Sequence, residues 1–266
     1  MTRVASGAVL LALAVGLVWF ASAAVFFAAA ELLLVAAFVE YVALAGASGV
    51  TVPAIPAGTA AVLACAAFAR LALGGVAWAP IDIVLLTALV ALGSLTLTRW
   101  QGGNDALALA AVAIFPTLYL GLPIGAMVAI REARGREALF LLMLTVVVSD
   151  TAQYYTGRAF GRRPLAAGIS PKKTIEGAVG GFVFGAIFLA VVGAWWLPSM
   201  PPALRVALGA STVALGIAGD LFESMLKRSA GVKDSSALIP GHGGVLDRID
   251  ALLFAAPVYY IVLSYV

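Results

Sequence analysis

Apolar runs follow one another along almost the whole chain, separated by short polar stretches. A run of about 18 or more residues with few charges is long enough to cross the hydrocarbon layer of a bilayer as a helix. The pattern predicts nine such spans, near 4–20, 22–44, 54–73, 80–98, 106–130, 138–156, 178–196, 204–226 and 246–265. The first two are crowded, with little chain left for a turn between them, and a count of eight or ten spans fits the same pattern. Arg3 ahead of an apolar run, with Ala-Ser-Ala-Ala after it, has the outline of a signal peptide. Because apolar spans continue throughout, the expectation is a retained first span. The fold class that follows is all-α, a polytopic helical bundle in a membrane.

Composition agrees. Charged residues make up 11% of the chain and hydrophobic ones 63%, whereas soluble domains carry about a quarter charged residues. The formal charge of +3 reflects the basic bias of cytoplasmic loops rather than a nucleic-acid surface. Cys65 is the only cysteine. It excludes a disulfide within the chain and a cysteine metal cluster, and its place in an apolar span assigns it to packing.

The connections differ in kind. Those at 45–53 and 74–79 are short and rich in small residues, which suits simple turns. Two others, 158–176 and 227–246, are longer and heavily charged. If spans 178–196 and 204–226 each cross once, both loops emerge on one side. Arg158, Arg162, Arg163, Lys172 and Lys173 mark the first, and Lys227, Arg228 and Lys233 the second. The basic bias places that side in the cytoplasm, with the N-terminus inside and the C-terminus outside. The segment 131–137 opposes this assignment, since its three arginines would then lie outside. Ten of the 16 basic residues fall between 158 and 248. Residues 1–130 therefore read as scaffold helices and 131–266 as the region that holds the chemistry.

Ionisable groups at membrane depth are costly and are functional candidates by default. Asp220, Glu223, Ser224 and Lys227 fall at i, i+3, i+4 and i+7, on one helical face. Their stripe is either a site or, for Glu223 and Lys227, an ion pair that holds a helix end. Asp247 and Asp250 flank Arg248 at the start of the last span, after His242-Gly243-Gly244. They either complement the helix dipole or bind a metal or substrate, and the glycines can bring backbone N–H groups to an anion. Oxygen donors at Asp220, Asp247 and Asp250 suit Mg²⁺, which takes one or two carboxylates together with substrate phosphates. Zinc is disfavoured by the lone histidine and buried cysteine. Asp150, Gln153, Tyr154 and Gly157 share another face. After them, Ser170, Lys172, Lys173 and Thr174 form a phosphate cradle or a basic patch for anionic lipids, with Thr174 capping the next helix and Glu176 in its first turn. No GxxxxGK[ST], GxGxxG with a downstream acid, or GxSxG is present. The residues alone thus point to a cytoplasm-facing, Mg²⁺-dependent phosphate site, with an ion-coupled transporter as the reading from a different class.

The run Ser224-x-Leu226-Lys227-Arg228-x4-Lys233-Asp234-x-Ser236-x2-Ile239-Pro240-x-His242-Gly243-Gly244-Val245-x-Asp247-Arg248-Ile249-Asp250 resembles, without a gap, the signature of phosphatidate cytidylyltransferases (CDP-diacylglycerol synthases). The upstream stretch GRAFGRRPLAAGISPKKTIEG is also similar to that family, whereas the first 130 residues match only as hydrophobic helices. Gln153 departs from it, standing where the family usually has a small residue. The resemblance implies transfer of CMP from CTP to phosphatidate, Mg²⁺ with a monovalent cation such as K⁺ beside it, and a homodimer in a membrane, with no nucleic-acid partner. The compact, Ala-, Val- and Leu-rich chain suggests a bacterial inner membrane. In that reading Asp220, Asp247 and Asp250 hold the metal, and Lys227, Arg228 and Lys233 neutralise phosphates. Asp150, Ser170, Lys172, Lys173, Thr174, Ser224, His242, Gly243, Gly244 and Arg248 contact substrate. The nearest rivals are the same transfer to another lipid phosphate, such as an ether lipid, and a lipid or polyprenol kinase.

Overall fold

The computed structural model describes residues 2–72 and 80–266, with side chains over 6–70 and 80–266. The turn predicted at 74–79 lies outside the described residues. Every predicted span is helical: α1 (Thr2–Phe20), α2 (Ala23–Ala47), α3 (Ala54–Ala72), α4 (Ile81–Arg99), α5 (Ala106–Pro116) continuing through a π turn (Thr117–Gly121) into α6 (Leu122–Arg134), α7 (Arg136–Phe160), α8 (Ile175–Trp196), α9 (Pro202–Ser229) and α10 (Leu246–Ser264). Among the described residues six helices are long and apolar enough to cross a membrane: α2, α4, the continuous Ala106–Arg134 helix, α7, α8 and α9. Shorter apolar helices cover Ser6–Phe20 and Ala54–Arg70. The chain is an all-α integral membrane protein.

The loop between α7 and α8 is more ordered than its polarity suggests. It folds as an antiparallel hairpin of β1 (Pro164–Ala166) and β2 (Ser170–Thr174), an element the apolar pattern did not predict. Thr174 ends β2 and is the N-cap of α8, its hydroxyl accepting from Gly177 N at 3.1 Å, as its place in the sequence predicts. Glu176 does more than face the helix dipole: it accepts the main-chain N–H groups of Arg162 and Arg163 at 3.0 and 3.2 Å and so fastens the entry of the hairpin.

The chain resolves into two compact units, Met1–Ala133 with Ser229–Arg248, and Arg134–Arg228 with Ile249–Val266. In the first, Gly121 and Gly125 let the π turn and α6 lie against the backbone of Ala61 and Cys65 on α3. Pro116 lacks an N–H, and the wider π turn follows it directly. Cys65 is fully buried with its thiol against Glu31 of α2. Arg131, one of the arginines that opposed the loop-charge bias, is held inside this unit. Its side chain is 8% exposed and ion-paired with Glu132. It donates to the carbonyls of Val18 and Ala21 at the end of α1 and lies 4.5 Å from the Phe26 ring centre. A cation that closes a helix C-terminus in this way has a structural role, which weakens its weight as a marker of sidedness.

The second unit is built on glycines. Gly177, Gly181 and Gly185 recur at i, i+4 and i+8 along α8, facing Gln153, Ser149 and Thr145 of α7. Small residues at this spacing let membrane helices approach backbone to backbone. Gly209 brings α9 against Ala186 of α8, and Gly219 brings α9 against Asp250 and Ala251 of α10. Gly181→Val is expected to force α7 and α8 apart, at a cost of about 1–3 kcal/mol or more. A lower melting temperature of the detergent-solubilised protein would register it, and an unchanged one would contradict the close packing.

Candidate active site

In the second unit three helices and the hairpin bring charge together. Gly219 has no side chain to separate α9 from α10, so the helix that carries Asp220 lies against Asp250 and Ala251 of α10. Asp220 and Asp150 stand close enough to Asp250 for their charges to act on it, and so does Lys227. Asp220 is ion-paired with Lys173 of β2, both side chains about a quarter exposed (28% and 24%). The stripe on α9 has the expected partners one turn apart: Ser224 Oγ lies 3.5 Å from Asp220 Oδ1, and the buried Lys227 pairs with the fully buried Glu223. Arg228 donates from Nε to the carbonyl of Ile169 at 3.2 Å, tying the end of α9 to the hairpin turn.

Asp150 is exposed on α7 and accepts from Gln153 Nε2 at 3.0 Å; the same amide group lies 3.3 Å from Ser149 Oγ. Gln153, the large residue in an otherwise familiar segment, fits because Gly181 opposite it carries no side chain. Ser170 opens β2 opposite Ala166. Lys172 is exposed on that strand, whereas Lys173 is drawn in toward Asp220. Three carboxylates and two lysines thus come from α7, α9, α10 and β2 within one unit. Among the described residues no three His, Cys, Asp or Glu side chains are gathered into a ready-made metal cage. Carboxylates contributed by three helices of one unit are nevertheless the donor type that suits a hard divalent cation whose remaining ligands are phosphate oxygens.

The loop 231–246 belongs to the first unit and is organised by two acids. Asp247 Oδ2 accepts from Ser235 N, Ser235 Oγ and Gly244 N at 2.9, 2.9 and 2.8 Å. The second acid is Glu40 on α2, which the sequence analysis left within the scaffold. It is 4% exposed. It accepts from Ser235 Oγ (2.8 Å), Ser236 Oγ (2.7 Å), Val245 N (2.9 Å) and Leu246 N (2.8 Å). The anion at the N-terminus of α10 is therefore the protein's own carboxylate, and the N–H groups of residues 244–246 are directed to Asp247 and Glu40. The clue in the sequence was an acid inside an apolar span; no local spacing joins it to a loop some 200 residues away.

His242 is fastened by α1: Ser6 Oγ lies 2.9 Å from its Nδ1 and donates to Pro240 O at 3.0 Å. Gly243 takes φ +78°, a left-handed turn that suits glycine, and bridges back to Ile239. Lys233 and Arg248 are exposed.

The Cytidylyltransferase family model matches residues 1–266. A stretch of 131 residues is 46% identical to the Phosphatidate cytidylyltransferase of Haemophilus influenzae, covering 46% of this chain and 45% of that protein. The protein of that name from Helicobacter pylori is 40% identical over 154 residues, 58% of this chain and 57% of its own length. The one from Aquifex aeolicus is 40% identical over 125 residues, 47% and 46%. The chain therefore spans about half the length of the curated relatives it matches.

Proposed function

From the cytidylyltransferase family, to which this chain belongs, we propose that its activity is the transfer of CMP from CTP to phosphatidate, yielding CDP-diacylglycerol and pyrophosphate. The observation that carries this reading is the convergence of Asp150, Asp220 and Asp250 with Lys173 and Lys227 in one unit of a membrane protein. Relatives named Phosphatidate cytidylyltransferase support the choice of lipid.

The lipid phosphomonoester has a second pKa near about 6, so its oxygen is a ready nucleophile at neutral pH. A bond forms from that oxygen to the α-phosphorus of CTP as the bond to the β-phosphate oxygen breaks, and pyrophosphate leaves with the electron pair. No strong general base is required. The barrier lies in bringing two polyanions together, which is a task of positioning and charge neutralisation. Asp220 and Asp250 would hold Mg²⁺, which when bound supplies charge neutralisation at triphosphate oxygens. Lys173, paired with Asp220 in this structure, and its sequence neighbour Lys172 would neutralise phosphate charge. Lys227 sits deeper, kept oriented by Glu223, and Arg228 and Ser224 lie on the same helix end. Lys233, His242, Gly243 and Arg248 are further proposed substrate contacts. Asp247, the third predicted metal ligand, accepts three hydrogen bonds of its own loop through Oδ2, so its removal tests loop closure as well as ligation. A homodimer in a bacterial cytoplasmic membrane, with both charged loops on the cytoplasmic side, completes the proposal.

Purified protein in detergent with phosphatidate, Mg²⁺ and CTP labelled in its α-phosphate tests it. Label in a CDP-lipid, with an equal amount of pyrophosphate released, is the expected result. Transfer of the terminal phosphate of ATP to lipid would make the protein a lipid kinase instead. Reaction with an ether-lipid phosphate but not with phosphatidate would keep the chemistry and change the acceptor.

A further inference from the structure

Glu40 lies outside the signature, in the half of the chain with few charges, yet it accepts four hydrogen bonds from the loop that carries the signature. Burying a carboxylate is costly unless its oxygens are satisfied. Among the described residues no lysine or arginine pairs with Glu40. Its four donors all come from residues 235–246, two on each oxygen: Ser236 Oγ and Val245 N on Oε1, Ser235 Oγ and Leu246 N on Oε2. An apolar residue would pack as well against neighbouring helices. Only a two-oxygen acceptor gathers two hydroxyls and two consecutive main-chain N–H groups at one point, closing both ends of the loop over α2. Charge assistance strengthens each of these bonds, and the two N–H groups belong to the unpaired start of α10. Ser235 Oγ also reaches Asp247 Oδ2, so Glu40, Ser235 and Asp247 form one connected set.

We propose that Glu40 is a positioning residue for nucleotide binding: from α2 it sets the shape of loop 235–246 and thereby the presentation of His242, Gly243 and the preceding Lys233 to the phosphates of CTP. The inference rests on the reading of the protein as a CTP-dependent transferase. Glu40→Gln tests it with little change in volume. Whichever way the amide is turned, its NH₂ group meets a main-chain N–H of Val245 or Leu246. One buried donor is left unpaired, a loss that corresponds to a factor of about ten or more.

In Glu40→Gln the amides of residues 245 and 246 are expected to exchange with deuterium about tenfold faster, and KM for CTP to rise by a similar factor, while KM for phosphatidate is unchanged. A general loss of folded protein would lower the number of active molecules without moving one KM selectively. Both KM values unchanged would overturn the inference, whatever happens to yield. If Glu40→Gln does not accumulate, Ser236→Ala removes one of the four donors, and a smaller rise in KM for CTP is expected; no rise overturns the proposal. Wild-type protein that transfers no CMP would instead sink the proposed function. The exchange measurement would then decide separately whether Glu40 holds the loop, with unchanged protection counting against it.

Discussion

Asp220→Asn is expected to lower CMP transfer by about 100- to 1000-fold, the range seen when one preorganised charge is removed from a transition-state site, while leaving the protein folded. Asp220 sits where Gly219 joins α9 to α10, beside Asp250 and paired with Lys173. The pair is about three-quarters buried and Lys173 Nζ is enclosed, so even as a purely structural contact its loss would strand a charge and cost stability. Loss of the pair alone thus predicts a lower melting temperature and a modest loss of rate, both traceable to the stranded charge of Lys173. The proposed chemistry predicts the far larger loss of rate, together with a raised Mg²⁺ requirement. Lys173→Met separates the two cases further. If the pair served only to hold β2 against α9, the double variant Asp220→Asn/Lys173→Met would lose the unpaired charge and recover activity. If both residues act on substrate and metal, the double variant stays as inactive as Asp220→Asn. Recovery in the double variant, or near-normal turnover in the single, would remove Asp220 from the mechanism.

How much of this arrangement was legible beforehand depends on the range of the contact. Each helix was visible as an apolar run, because lipid demands a continuous hydrophobic surface over the length of a span. The hairpin at 164–174 was not: its strands are too short and polar for a hydropathy signal, and its fastening depends on Glu176 reaching back to residues 162 and 163. The stripe on α9 was legible because its partners are three to four residues apart, and the Glu223–Lys227 pair follows from that spacing alone. The pairing of Lys173 with Asp220 and the approach of Asp220 to Asp250 depend on glycines that carry no chemical label of their own. The role of Arg131 was likewise hidden, because its partners lie more than 100 residues away. Counted as loop charge it argued about sidedness, whereas its guanidinium is spent on the end of α1.

Glu40 shows where local pattern stops altogether. The sequence places it near the end of an apolar span with no partner at helical spacing, and the residues it binds lie near the other end of the chain. The consequence concerns the N-terminal helices. α1, through Ser6 and His242, and α2, through Glu40, both reach the loop that carries the signature. Their contribution rests on two or three polar contacts set in lipid-soluble helices, so they carry few chemical labels in the sequence while still shaping the loop, and the family model matches them along with the rest of the chain.

Gly244→Ala is expected to reproduce the effect of Glu40→Gln without touching a charged residue. A Cβ at position 244 would overlap Ser235 Oγ and both carboxylate oxygens of Glu40. These atoms have little room to retreat, because Glu40 is buried and Ser235 is held by Asp247 as well. Either the loop lifts away from α2 or Glu40 gives up its bonds, at a cost of about 1–3 kcal/mol or more from overpacking. Faster deuterium exchange at 245 and 246 and a raised KM for CTP follow in either case. The double variant Glu40→Gln/Gly244→Ala then discriminates. Two changes that break the same set of contacts are not additive, so the double variant should be little worse than the more damaging single one. Full additivity would mean that Gly244 is needed for another reason, such as direct approach of its backbone to a phosphate. Gly243→Ala provides the contrast. It places a Cβ at φ +78° and against Asp247 Oδ2 rather than Glu40, so it strains the turn and disturbs the other acid directly, reaching Glu40 only through Ser235. A Gly244→Ala protein with wild-type exchange and wild-type KM for CTP would show that loop and carboxylate adapt to one another, and the role assigned to Glu40 would fall with it.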